Sequence, residues 1–140
     1  MKPPYAEDIN YWRTGRSDPD TWMERAKAQI AKLGARVLSE GYGRANEGAA
    51  FMLHFEAQGE EFRVVWQVLP TRGDNERAAR IQAATLLYHD VKAKCLEATV
   101  KGVRAAFFEY LLLPDGRTAS EASEPELLEG VPKRLLITDD

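Results

Sequence analysis

The chain has very little with which to build a disulfide or a metal site. Cys95 is its only cysteine, so no intrachain disulfide can form. It has two histidines, His54 and His89, and no CxxC, HxH or HExxH spacing. There is no GxxxxGK[ST] or GxGxxG loop to cradle a phosphate, and no GxSxG elbow to present a serine. Apolar runs last only a few residues, far short of the roughly 20 that cross a bilayer. The opening Met1-Lys2-Pro3-Pro4-Tyr5 lacks the apolar stretch of a signal peptide. These absences lead to the expectation of a soluble, cytoplasmic protein that uses no metal, no cofactor and no membrane.

What is present is a globular composition, with 44% hydrophobic and 29% charged residues in 140, enough for one core. The net charge of −3 is unevenly spread. Residues 1–71 carry nine basic and ten acidic side chains, residues 72–104 seven and four, and residues 105–140 three and eight. A basic middle therefore precedes an acidic end.

Residues 1–16 mix prolines, charges and aromatics, and Tyr5, Ile9, Tyr11 and Trp12 are too apolar for a free tail. They are expected to lie as an arm on the domain or on a partner. Ser17-Asp18-Pro19-Asp20 is a helix start, with a capping oxygen before a proline in the first turn. Trp22, Ala26, Ile30 and Leu33 recur at helical spacing up to Gly34, so a first helix is expected over 19–33. Residues 35–44 read as a weaker strand in which Gly41 and Gly43 weaken the pattern or mark a bulge.

The clearest pattern is a hairpin over 49–69. Phe51, Leu53 and Phe55 alternate with Met52, His54 and Glu56, and after Gln58-Gly59 Phe62, Val64, Trp66 and Val68 alternate again. A two-residue turn there pairs Phe55 with Phe62, Leu53 with Val64 and Phe51 with Trp66, all on one face. It also sets Glu56 against Glu61, a clash that a looser turn would relieve. The other face, with Met52, His54, Arg63, Val65 and Gln67, is semi-polar.

A long helix follows from about Asn75 to Lys101, capped by Asp74 or Asn75 and stopped by Gly102. Ile81, Ala84, Leu87, Tyr88, Val91, Cys95 and Ala98 form one apolar stripe. Ala79, Leu86, Ala93 and Val100 form a second, which needs the C-terminal segment or a second subunit as cover. Residues 103–113, with Phe107, Phe108, Tyr110 and three leucines, read as a buried strand. Pro114-Asp115-Gly116 is a turn, and residues 124–129 a short acidic helix. The expected fold class is α+β: an antiparallel three- to four-stranded sheet packed against two helices, in the order α-β-β-β-α-β. The arm would be 1–16, the core 17–113, and 114–140 an acidic segment packed on it or trailing from it.

No catalytic set can be assembled from these residues. Cys95 lies on the buried stripe with no base beside it. Glu56, Glu60 and Glu61 cluster at an exposed turn, where carboxylates are usually solvated. The basic residues are more pointed. Arg72, Arg77 and Arg80 stand at the start of the long helix, against its dipole, where free N–H groups also favour an anion. Asp74 and Glu76 are their local neutralisers. Arg63 projects from the semi-polar sheet face and Lys92 from the helix, and Trp12 or Tyr42 would add stacking surface for bases.

The first five elements share their order with double-stranded-RNA-binding domains, which also place basic residues at the start of their last helix. Glu76-Arg77-Ala78-Ala79-Arg80-Ile81-Gln82-Ala83-Ala84 loosely resembles that segment. The lysine cluster is missing and the long helix and following strand are extra, so the likeness is one of topology and not of membership. The sequence thus leads to a non-enzymatic binding protein. Nucleic acid is its first ligand, through Arg63, Arg72, Arg77, Arg80 and Lys92. The alternative is an assembly subunit that self-associates through Leu86, Ala93 and Val100 and the 103–113 segment.

Overall fold

In a computed structural model the chain forms a three-stranded antiparallel sheet with helices on one face. The structure describes residues 2–15, 17–45 and 48–123. The expected acidic helix at 124–129 lies outside them.

Helix α1 (Pro19–Lys32) starts where Asp18 accepts from the Thr21 N–H at 3.1 Å. It ends at Gly34, whose φ of +87° is the left-handed stop that glycine takes cheaply. Strands β1 (Arg36–Ala45), β2 (Gly48–Ala57) and β3 (Glu60–Gln67) follow in sheet order β1-β2-β3. The β2–β3 register is the one the alternation predicts: Phe55 faces Phe62, Leu53 faces Val64, and Phe51 faces Trp66. Gln58 and Gly59, at φ +53° and +81°, make the tight turn. Glu56 and Glu61 do stand opposite each other. No looser turn is needed, because Arg36 pairs with Glu56 at 3.0 Å and His54 with Glu61 at 2.7 Å. The bulge in β1 falls at Leu38, between Val37 and Ser39, and not at the glycines.

Helix α2 (Glu76–Lys101) lies across the sheet. Asn75 occupies its cap position, but the side chain makes no cap bond and instead accepts from Arg13 Nη2 at 2.6 Å. Ala84, Leu87, Val91, Cys95 and Ala98 of the first stripe are buried, while Ile81 and Tyr88 are partly so. The core joins them to Met23, Ala26 and Ile30 of α1 and to Phe51, Leu53, Phe55, Phe62 and Val64 of the sheet.

Residues 103–113 do not form the sixth element as a strand. They fold into a short helix α3 (Val103–Ala106) and a 3-10 turn at Phe108–Tyr110, and their only strand-like pairing with the sheet among the described residues is a single bridge from Leu111 to Phe62. Gly102, at φ +93°, turns the chain back on itself before any pairing can begin. Phe107 is fully buried, 5.0 Å edge-on to Phe55 and 6.1 Å from Phe62. A reversal at Gly116 and helix α4 (Ala119–Ala122), with Thr118 and Glu121 in a capping box, close the described chain.

The N-terminal arm lies on the domain. Gln82 of α2, 1% exposed, donates from Nε2 towards the carbonyls of Ala6, Ile9 and Asn10 at 2.8–3.1 Å. Ala6 N–H donates to the Pro70 carbonyl at 2.8 Å.

Candidate interaction surface

Helices α1 and α2 run in the same sense. Asp18 and Asp20 share a cleft with Arg77 and Arg80 at one end, and Leu33 meets Cys95, Leu96 and Thr99 at the other. At that second end the helices leave an open groove of about 570 Å³. Its apolar lining comes from Leu33, Ala93, Cys95 and Leu96. Its charged lining residues are Lys32 and Lys92, both exposed, and no acidic residue lines it among those described. Leu96 is 72% exposed and Val100, one turn on, 83%. Apolar side chains this open and one turn apart are an exposed patch, which in a monomer marks a contact surface more often than chance.

The groove's two titratable neutral groups are both held uncharged. Burial pushes the Cys95 thiol up to about 11, which keeps it protonated and slow to react at neutral pH. Burial, aided by Lys92, lowers the pKa of His89. Its ring lies flat on Tyr11 of the arm at 4.6 Å and is flanked by Trp22 and Tyr88. The arm therefore reaches the groove's edge through His89 without lining it.

Of the self-association residues expected from sequence, Ala93 lines this groove and Val100 extends it, while Leu86 is half-buried. Ala79, at the head of the same heptad stripe, is 1% exposed, so the stripe is not one continuous face. Leu96 belongs to neither sequence stripe. Its signal was the i, i+4 pair with Val100 on a helix whose opposite side is already occupied.

The five basic residues are not brought into one surface. Arg63 pairs with Glu121 at 2.9 Å on the outer face of the sheet. Arg72 makes a two-pronged bond to Asp8, takes Glu7 on its own N–H, and lies over the Tyr5 ring at 4.6 Å. That bond holds the Asp8 carboxyl below the usual carboxylate range. Lys92 belongs to the α1–α2 groove. Only Arg77 and Arg80 share a cleft, one of about 280 Å³ that also contains Tyr42, Asp18 and Asp20. Arg80 sits 5.7 Å from the Tyr42 ring, and its Nε has no partner among the described residues. Glu76, the expected neutraliser, instead pairs with Arg44 at 2.8 Å.

The carboxylates at the hairpin turn are each paired: Glu56 with Arg36, Glu61 with His54, and Glu60 with Arg104 at 3.6 Å. His54 and His89 stand on opposite sides of the sheet layer, one on its outer face and one on α2. Among the described residues no group of three His, Cys, Asp or Glu side chains is placed to hold a metal ion, and no helix is long and apolar enough to cross a membrane.

No family model, no curated protein and no solved structure matches this chain. Its surface is therefore the ground for a functional reading.

Proposed function

We propose that this chain is a protein-interaction module whose docking surface is the C-terminal half of α2 with the end of α1. The observation that carries the reading is the open apolar pair Leu96 and Val100 beside the groove. Everywhere else on α2 the large aliphatic side chains are buried or half-buried. A solvated leucine and valine one turn apart stabilise nothing in the isolated chain, and they become favourable once covered. The test is a photoreactive residue placed at position 96 or 100 in the source cells, with position 71 as control. Discrete adducts at 96 and 100, to a second copy or to another protein, and none at 71, support the module. The same pattern at all three positions sinks it.

Nucleic acid is kept as a second reading, favoured by Arg77 and Arg80 in one cleft with Tyr42, whose ring lies 5.7 Å from Arg80. Guanidinium groups beside an exposed aromatic suit a phosphate next to a stacked base. Asp18 and Asp20 offset their charge, so the footprint is small. Fluorescence anisotropy with single- and double-stranded DNA and RNA at two salt concentrations measures it. Replacing Arg77 and Arg80 by alanine should lower the salt slope by about two units, one per lost phosphate contact. Replacing Arg63 and Arg72, already paired with Glu121 and Asp8, should change it little. An unchanged slope in the Arg77/Arg80 double variant rejects this ligand.

A further inference from the structure

We infer that the groove between α1 and α2 receives an acidic amphipathic helix from a partner protein of different sequence. The inference rests on the protein-interaction reading above and specifies the partner's chemistry.

Three features of the groove define that chemistry. The first is its shape. Two helices running side by side leave a trough, and the third element that best fills such a trough is another helix, set 8–10 Å from its neighbours. Ala93 on the wall lets a helix approach closely, because its side chain ends at one methyl. The second is length. The exposed apolar stripe runs from Ala93 to Val100, about two helical turns at 1.5 Å per residue. It therefore matches leucines at i, i+3 or i+4, and i+7 of an incoming helix. The third is charge. The charged residues lining the groove, Lys32 and Lys92, are both basic and exposed. Neither is engaged by an acid among the described residues, in contrast to Lys27, Lys94 and Lys101, which are all paired.

Charge also decides against a second copy as occupant. A two-fold contact places the same patch on both sides. It would bring Lys32 and Lys92 of one copy towards those of the other with no acid in the lining to separate them, an arrangement that like-charge repulsion disfavours. An acidic helix meets the same two lysines as a complement.

Cys95 supplies a built-in reporter, since it is the chain's only thiol, lines the groove and is 6% exposed. The full-length protein is titrated with a synthetic helix of about 18 residues, with leucines at i, i+4, i+7 and i+11 and glutamates elsewhere. A second peptide carries lysine in place of every glutamate. Binding is read by anisotropy, and groove occupancy by the rate of Cys95 alkylation.

The glutamate peptide should bind, weaken with salt, and slow Cys95 alkylation about fivefold or more at saturation. Leu96→Asp should weaken it about tenfold or more, and Lys32→Glu with Lys92→Glu should transfer the preference to the lysine peptide. Circular dichroism of each variant verifies that it is folded. If both peptides bind alike, or neither binds, the acidic-helix assignment is overturned. Association of the protein with itself that Leu96→Asp abolishes also overturns it, in favour of a second copy, while leaving the interaction module standing. The module itself fails separately, through the cross-linking pattern described above.

Discussion

Asp90 collects three donors on one carboxylate. Trp66 Nε1 reaches it at 3.1 Å, the Tyr110 hydroxyl at 2.6 Å and Lys94 Nζ at 3.0 Å, with the Asp90 side chain only 15% exposed. Charge-assisted bonds of this kind are stronger than neutral ones. The carboxylate pins strand β3 and the 3-10 turn after α3 onto α2. Asp90→Ala leaves the Trp66 and Tyr110 donors without an acceptor in a half-buried position. It should cost about 1–3 kcal/mol in urea denaturation. A second residue-scale prediction concerns Cys95. Burial holds its thiol proton up to about 11, against 9.0 for the ordinary thiol. Between those values the unfolded chain releases the proton while the folded chain keeps it, so the folded state binds more protons. Stability contributed at this position is then full below pH 9.0, falls as pH rises, and is lost by about 11. Subtracting the pH profile of Cys95→Ala from that of the parent isolates this contribution from lysines and tyrosines that titrate nearby. A flat difference across the window would contradict the burial account.

At the scale of elements, the β2–β3 hairpin shows how turn and pattern reinforce each other. Gly59 sits at φ +81° with open space where a Cβ would go. The cost of Gly59→Ala is thus one of backbone conformation alone, about 1 kcal/mol. Gln58, at φ +53°, is not the residue that suits this position best. Gln58→Asn should stabilise the hairpin by a few tenths of a kcal/mol, because asparagine tolerates the left-handed region. Thermal melts of the two variants should shift in opposite directions. This hairpin was legible in the sequence because its alternation, its turn residues and its register all agree. Helix α1 was legible through Asp18, Pro19 and Gly34 for the same reason. Residues 103–113 were misread because apolar content alone does not separate a strand from a buried helical segment. Their burial follows Val103, Ala106, Phe107, Tyr110 and Leu111, a spacing of three and four. That period was present in the sequence but masked by Phe108, which is 52% exposed, and by Leu112 and Leu113. The candidate groove was legible only in part. Ala93 and Val100 stood out as an uncovered stripe, whereas Leu96 and the lysines around it required knowing where α1 ends. The dispersal of the five basic residues could not be read either, since Arg72–Asp8 and Arg63–Glu121 join positions 64 and 58 residues apart.

Across the whole molecule, a small core is closed at both ends by chain segments that belong to no sheet. The arm is tied on by polar contacts, the exposed Arg72–Asp8 pair and the buried Gln82 amide. The segment after α2 is tied on by Phe107, whose ring completes an aromatic trio with Phe55 and Phe62 at the centre of the core. The two attachments should therefore fail differently. Arg72→Ala removes an exposed ion pair, which is screened by water and contributes little to global stability. It should speed proteolysis of residues 2–15 while leaving the denaturation midpoint nearly unchanged, as expected for local opening. Phe107→Ala removes a fully buried ring and leaves a cavity against two others. The expected loss is about 3–5 kcal/mol, a large share of the roughly 5–15 kcal/mol that holds a domain of this size together. Phe107→Leu keeps most of the volume and should lose much less. Urea titrations of the three variants, followed by both circular dichroism and arm cleavage, measure the contrast. If Arg72→Ala lowered the midpoint as far as Phe107→Ala, the arm would be part of the cooperative core and not a strap laid over it.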